Sequence, residues 1–88
     1  MAAISTETLK LKYPIETIEP NVIELTMRRP KVKDHIAAGN MKGSELEQEN
    51  LLMSTLCDTS LKVIQELDMI DYDALVGIYS KMVPQKKD

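Results

Sequence analysis

Three carboxylates within six residues, Asp68, Asp71 and Asp73, have the residue type and spacing that general acid–base chemistry could use. Such catalysis needs two of them to face each other across a pocket, one as the acid and one as the base. They precede a strongly amphipathic segment, however, where an Asp can cap a helix and acidic side chains complement the helix dipole. We therefore interpret the cluster as a helix start and predict no catalytic residue.

The other reactive side chains do not form a recognisable site. His35 is the only histidine and Cys57 the only cysteine, so the sequence offers neither a set of His and Cys metal ligands nor an internal disulfide. The three glycines lack the spacing of a phosphate-binding loop. We predict no metal site, no cofactor and no enzymatic activity, and we expect Cys57 to be a buried core thiol.

The basic segment RRPKVK, residues 28–33, is the pattern that could bind nucleic acid. Residues 1–43 carry seven Lys/Arg and five Asp/Glu, whereas residues 44–88 carry four and nine, so the net charge is −3 and the pI is near 5.1. Phosphate contacts need a broad positive face, so we predict no nucleic-acid partner. The alternative is a small nucleic-acid-binding regulator that uses the RRPKVK segment. Apolar runs are short, which predicts no membrane-spanning segment.

Two N-terminal segments, residues 7–13 and 22–27, alternate between apolar and polar residues as half-buried strands do. The apolar residues of the first segment share one side: Leu9, Leu11 and Tyr13. Pro14 and Pro20 bracket a predicted loop. We predict an antiparallel hairpin over about residues 7–27. Its apolar face must lie on other elements, because an isolated hairpin is only marginally stable.

Start and stop signals divide residues 30–83 into about four helices. Pro30 fits the first turn of a helix over residues 31–38. Ser44 opens a capping box, S-x-x-E, for a helix that runs to about Leu56 or Cys57. Ser60 caps a third helix over residues 61–66, and Asp68 caps the last one.

Apolar stripes predict which faces of these helices lie inward. The stripe of the second helix has five members: Leu46, Leu52, Met53, Leu56 and Cys57. The stripe of the last helix has six members: Tyr72, Leu75, Val76, Tyr79, Met82 and Val83. Gly77 within that helix indicates either close helix packing or a partner contact. The predicted fold class is α+β, an N-terminal β-hairpin followed by about four short α-helices in one small domain over residues 1–88, with a polar tail at 84–88.

The order of these features resembles the small tail assembly chaperone family of Mu-like and related contractile-tail bacteriophages and prophages. That family shows a Y-P segment, an E-L-T-x-R-R-P-K-x-x-D segment, an acidic helix and a late L-D-x-x-D-Y. Here they fall on Tyr13 and Pro14 and on residues 24–34, 45–49 and 67–72. The resemblance covers roughly residues 8–83. A tight D-G-like turn of the family is replaced here by a connection containing Pro20, so we expect a longer loop between the strands.

The resemblance implies a non-enzymatic chaperone that binds the helix-rich tape measure protein in the bacterial host cytoplasm and is absent from the mature virion. The tail tube protein and a second copy of the chain are further candidate partners, and a minor structural tail subunit is an alternative role. We expect partner-binding residues in two places, the strand-to-helix joint and the exposed part of the last helix: Arg28, Arg29, Lys31, Asp34, Tyr72, Val76, Tyr79 and Val83.

An intramolecular role is open for the same residues. Asp34 could pair with an arginine or with Lys31, and Arg28 or Arg29 could form a salt bridge with Asp68 or Asp71.

Overall fold

The computed structural model describes residues 6–83, which form an antiparallel hairpin followed by four helices. The elements are β1 (Thr6–Ile15), β2 (Val22–Arg28), α1 (Val32–Gly39), α2 (Glu45–Leu56), α3 (Leu61–Gln65) and α4 (Met69–Met82). The predicted fold class, α+β with an N-terminal hairpin and about four helices, is confirmed. The predicted polar tail at 84–88 lies outside the described residues.

β1 is longer than the alternation indicated. It pairs with β2 from Thr6 opposite Arg28 to Lys10 opposite Glu24, becomes irregular, and pairs again at Ile15 opposite Val22. Pro14, predicted to begin the loop, lies inside β1. Proline has no backbone N–H to donate to a neighbouring strand, and it is tolerated there because the pairing of β1 with β2 is irregular between Lys10 and Ile15. The connection spans residues 16–21, which is the longer loop expected.

The irregularity in β1 also changes which side chains lie inward. Leu11 and Ile15 are buried four residues apart, whereas Tyr13, expected on the same side as Leu9 and Leu11, is 48% exposed. A strict two-residue period holds only where the ladder is regular, so the assignment of Tyr13 from alternation was wrong.

Side-chain caps start three of the helices as predicted. The Glu47 N–H donates to Ser44 Oγ at 3.1 Å, and the Ser44 N–H donates to Glu47 Oε1 at 2.8 Å, which completes the capping box. Ser60 Oγ accepts from the Val63 N–H, and Asp68 Oδ1 accepts from the Ile70 N–H. Each cap stabilises its helix by about 1 kcal/mol.

α1 begins later than predicted. Lys31 is its N-cap residue with an extended backbone, so Pro30 precedes the helix instead of occupying its first turn. The Lys31 N–H donates to Asp34 Oδ2 at 2.7 Å. The carboxylate therefore fixes the start one residue beyond the place that proline suggested.

The core lies between the inner face of the hairpin and helices α2 and α4. Met27, Met53, Leu56 and Leu75 are its most completely buried large side chains. Two of them are methionines, whose flexible stems fill irregular space. Leu46, predicted to face inward, is 60% exposed because it lies in the first turn of α2, two turns before Met53 and beyond the core. Nothing lies within 4 Å of a Cβ placed on Gly77, so close packing does not explain that glycine.

Candidate functional site

An ion pair fixes the joint between β2 and α1, residues 28–34. Arg28 Nη1 and Nη2 donate to the two carboxylate oxygens of Asp34, each at 2.9 Å. Asp34 is 4% exposed, and the hydrogen bonds from Arg28 are the main reason that its pKa falls to about 2, against the opposing effect of burial. Of the two partners considered for Asp34, Arg28 provides the charge and Lys31 provides a backbone N–H.

Arg29 connects the joint to the end of α4. Its Nη2 donates to the carbonyl oxygen of Met82 at 3.1 Å. The last carbonyls of a helix have no partner within the helix and favour a cation. The salt bridge considered between these arginines and Asp68 or Asp71 does not form, because Arg28 pairs with Asp34 and Arg29 reaches Met82. The joint and the C-terminal turn of α4 therefore lie side by side.

Asp71 does more than complement a helix dipole. It is 2% exposed, and its two oxygens accept the backbone N–H groups of Lys12 and Tyr13 at 2.8 and 2.9 Å. These N–H groups lie in the irregular part of β1, so the carboxylate replaces the ladder there. The signal was in the sequence: Asp71 stands at i with Leu75 at i+4 and Ile78 at i+7, on the buried face of α4.

The three aspartates do not form an acid–base pair. Asp68 is an exposed cap, Asp73 is exposed, and both oxygens of Asp71 are occupied by main-chain donors. Within residues 6–83, no group of three or more His, Cys, Asp or Glu side chains could hold a metal ion. Cys57 is buried at the end of α2, and burial raises its thiol pKa to about 11, as a core thiol requires.

The side of α4 that was predicted to bind a partner divides into buried and accessible residues. Tyr72 is buried, and its hydroxyl donates to Glu49 Oε1 at 2.6 Å; burial and this hydrogen bond raise its pKa. Val76, Tyr79 and Val83 are half-buried. The Tyr79 hydroxyl lies 2.9 Å from His35 Nε2, which joins α4 to α1.

The structure also reveals an apolar groove that sequence periodicity did not indicate. It is lined by residues of α2, of α3 and its following turn, and of the start of α4: Leu46, Asn50, Ile64, Gln65, Leu67, Met69 and Tyr72. Its volume is about 200 Å³. Leu46 and Met69 on its edges are 60% and 67% exposed, and Ile70 next to it is 53% exposed. We call this feature the α2–α4 groove.

A second exposed apolar pair lies on α1. Val32 and Ile36, one turn apart, are 76% and 58% exposed and are flanked by the exposed Lys31 and Lys33. Large apolar side chains that remain exposed next to one another mark interaction surfaces more often than isolated ones do. These two apolar surfaces differ in the sequence neighbours of their exposed side chains, which are lysines at α1 and carboxylates at the α2–α4 groove.

Across residues 6–83, every helix is too short or too polar to cross a membrane. A comparison of the chain with curated proteins found no match, and neither did a comparison with solved structures. A protein-family model does match, over residues 8–84, and its description reads "Phage tail assembly chaperone proteins, E, or 41 or 14".

Proposed function

Because the chain belongs to the phage tail assembly chaperone family, we propose that it binds the tape measure protein, the long helix-rich chain around which the tail tube assembles. It does so without catalysing a reaction. A tape measure chain must remain soluble until tube subunits enclose it, and a small protein that covers its apolar helical stretches meets that need.

The observation that carries this proposal is the exposure of Leu46, Met69 and Ile70 beside an apolar groove. Covering such side chains with the apolar face of a partner helix removes them from water, and full burial of one Leu or Ile side chain stabilises a complex by about 1.5–3 kcal/mol. In a helix-in-groove interaction, each turn of the bound helix buries a further apolar side chain and adds a contribution of this kind.

Charge supports the same surface. Residues 44–83, which form α2, α3 and α4, contain eight Asp/Glu and two Lys. A complex whose outer surface keeps most of these carboxylates has a large net negative charge, and acidic surface residues favour solubility. A chaperone for an aggregation-prone helical chain needs this property.

We propose a second contact at the joint and the adjoining side of α4. Arg29, Lys31, Val76, Tyr79 and Val83 reach the surface there and can touch a partner directly. Arg28, Asp34 and Tyr72 contribute by holding that surface in place. Arg28 donates hydrogen bonds to Asp34, and the Tyr72 hydroxyl donates one to Glu49.

The proposal places the protein in the bacterial host cytoplasm while tails assemble and outside the finished virion. The tail tube protein and a second copy of this chain are further partners that such a role accommodates. A minor structural subunit would instead be present in purified particles, and a DNA-binding regulator would show salt-dependent binding to DNA.

Co-expression with the large helix-rich protein expected to be encoded just downstream tests the proposal. We expect that protein to be soluble only in the presence of this chain and to co-elute with it in size-exclusion chromatography. Equal insolubility with and without this chain would overturn the proposal. Purified particles and a DNA-binding titration would then decide between the structural and regulatory roles.

A further inference from the structure

We propose that the α2–α4 groove selects its partner by chemistry, taking one large apolar side chain from a helix whose neighbouring turns carry Lys or Arg. This inference rests on the proposed function, because it specifies which part of a helical partner the chaperone binds. It also means that the groove and the joint bind different segments of the partner, because the basic residues of the joint repel a segment that carries Lys or Arg.

The size of the groove supports a single anchoring side chain. A volume of about 200 Å³ is close to that of an engineered cavity, about 150 Å³, that accommodates a benzene ring. One leucine, methionine or phenylalanine side chain therefore fills it, whereas a whole helix does not enter. The helix must lie across the opening, where its other apolar residues meet Leu46, Met69 and Ile70.

The walls of the groove are fixed in advance. Ile64 and Leu67 are buried core residues, and the Tyr72 ring is held by the hydrogen bond from its hydroxyl to Glu49. Asn50 and Gln65 are the polar lining residues and carry no charge. A preformed apolar pocket with few polar groups binds without a large ordering cost.

The charged residues that are next in sequence to the lining residues are all acidic. Glu45 precedes Leu46, Asp68 stands between Leu67 and Met69, and Asp73 follows Tyr72. All three carboxylates are exposed. Within residues 6–83 the salt bridge joins Arg28 to Asp34, so none of these three carboxylates forms a salt bridge with a lysine or arginine of that part of the chain. A partner helix gains from cations beside its apolar anchor and is repelled if it carries carboxylates there.

The test uses two synthetic helical peptides of equal length with the same apolar stripe, one with lysines and one with glutamates on its polar positions. Isothermal titration calorimetry with the full chain gives the two affinities, and amide chemical shifts of the ¹⁵N-labelled chain locate the contact. We expect the lysine peptide to bind at least tenfold more tightly and to shift the amides of Leu46, Asn50, Gln65 and Met69. Equal affinities, or shifts confined to α1, would overturn the inference.

A charge-neutral double variant, Leu46→Gln with Met69→Gln, separates the groove from general attraction of a cationic peptide to an acidic protein. Both side chains are exposed, so the fold is retained, and we expect at least a tenfold loss of affinity for the lysine peptide. The matched control is Val32→Gln with Ile36→Gln, which removes equally exposed side chains from α1 and should change the affinity less than twofold. Similar losses from both double variants would refute the assignment to the groove.

Co-expression distinguishes failure of this inference from failure of the proposed function. If the wild-type chain solubilises the downstream protein and the groove variant does so equally well, the groove assignment is wrong and the chaperone function stands. If the wild-type chain itself does not solubilise that protein, the proposed function fails, and the peptide titration alone decides what the groove binds.

Discussion

Replacing Asp71 with alanine should destabilise this fold far more than replacing an exposed carboxylate of the same helix. The two oxygens of Asp71 accept the N–H groups of Lys12 and Tyr13 at 2.8 and 2.9 Å, and the residue is 2% exposed. A hydrogen bond to a charged group contributes about 1.5–3 kcal/mol, and both donors lose their partner at once. We expect a loss of about 3–5 kcal/mol in the free energy of unfolding.

That loss is a large share of the total for a chain of this length. Natural domains have about 0.05–0.15 kcal/mol of stability per residue, which for 88 residues is about 4–13 kcal/mol. Urea titrations followed by circular dichroism at 222 nm measure the change, provided that the slope with denaturant is the same for each variant. Asp71→Ala should be partly or wholly unfolded at 37 °C.

Two further variants make the test specific. Asp73→Ala removes an exposed carboxylate from the same helix two residues later and should change stability by less than about 0.5 kcal/mol. Asp71→Asn keeps one carbonyl acceptor but turns an amide NH2 toward the second backbone donor, so its loss should lie between the other two. If Asp71→Ala is no less stable than Asp73→Ala, the hydrogen bonds between α4 and β1 do not stabilise the fold.

Three other changes test separate parts of the structure. Because the pKa of Asp34 is depressed to about 2, the Arg28 pair stabilises the fold above the unfolded pKa near 4 and is lost as the pH falls from about 4 to 2; acid titration should show about 1–2 kcal/mol in that window, absent in Asp34→Asn. Gly77→Ala should raise stability by about 0.5–1 kcal/mol in thermal melts, since its Cβ meets nothing within 4 Å, and a loss would indicate an unrecognised contact. The Cys57 thiol, with its pKa raised to about 11, should react with a thiol reagent at pH 8 far more slowly in the native chain than in urea, and equal rates would contradict its burial.

Local chemistry explains what could be predicted from the sequence. The starts of α2, α3 and α4 depend on a side chain and a backbone N–H two or three residues away, so Ser44, Ser60 and Asp68 indicate them directly. The alternation of β2 is likewise visible in a short window at Leu25 and Met27, which are buried, although the same alternation groups Ile23 with them and Ile23 is 62% exposed. These features need no knowledge of the rest of the chain, because their partners are their own neighbours.

Contacts between distant residues explain what could not be predicted. Asp71 and Lys12 are 59 positions apart, and Arg29 and Met82 are 53 apart, so no local pattern pairs them. The spacing of Asp71 from Leu75 and Ile78 indicates that it faces inward, but only the packing of α4 on β1 supplies the two backbone N–H groups that it accepts. The α2–α4 groove is missed for the same reason, since its lining comes from three separate helices.

The position of Asp71 also bears on how the chain can fold during synthesis. Its partners Lys12 and Tyr13 leave the ribosome long before it does, and the Met82 carbonyl that receives Arg29 follows later still. A nascent chain that stops before residue 71 contains α2 but lacks α4, which packs on β1, so part of the apolar face of the hairpin stays uncovered. Because these contacts join residues far apart in the chain, the domain folds as one cooperative unit only after α4 has left the ribosome.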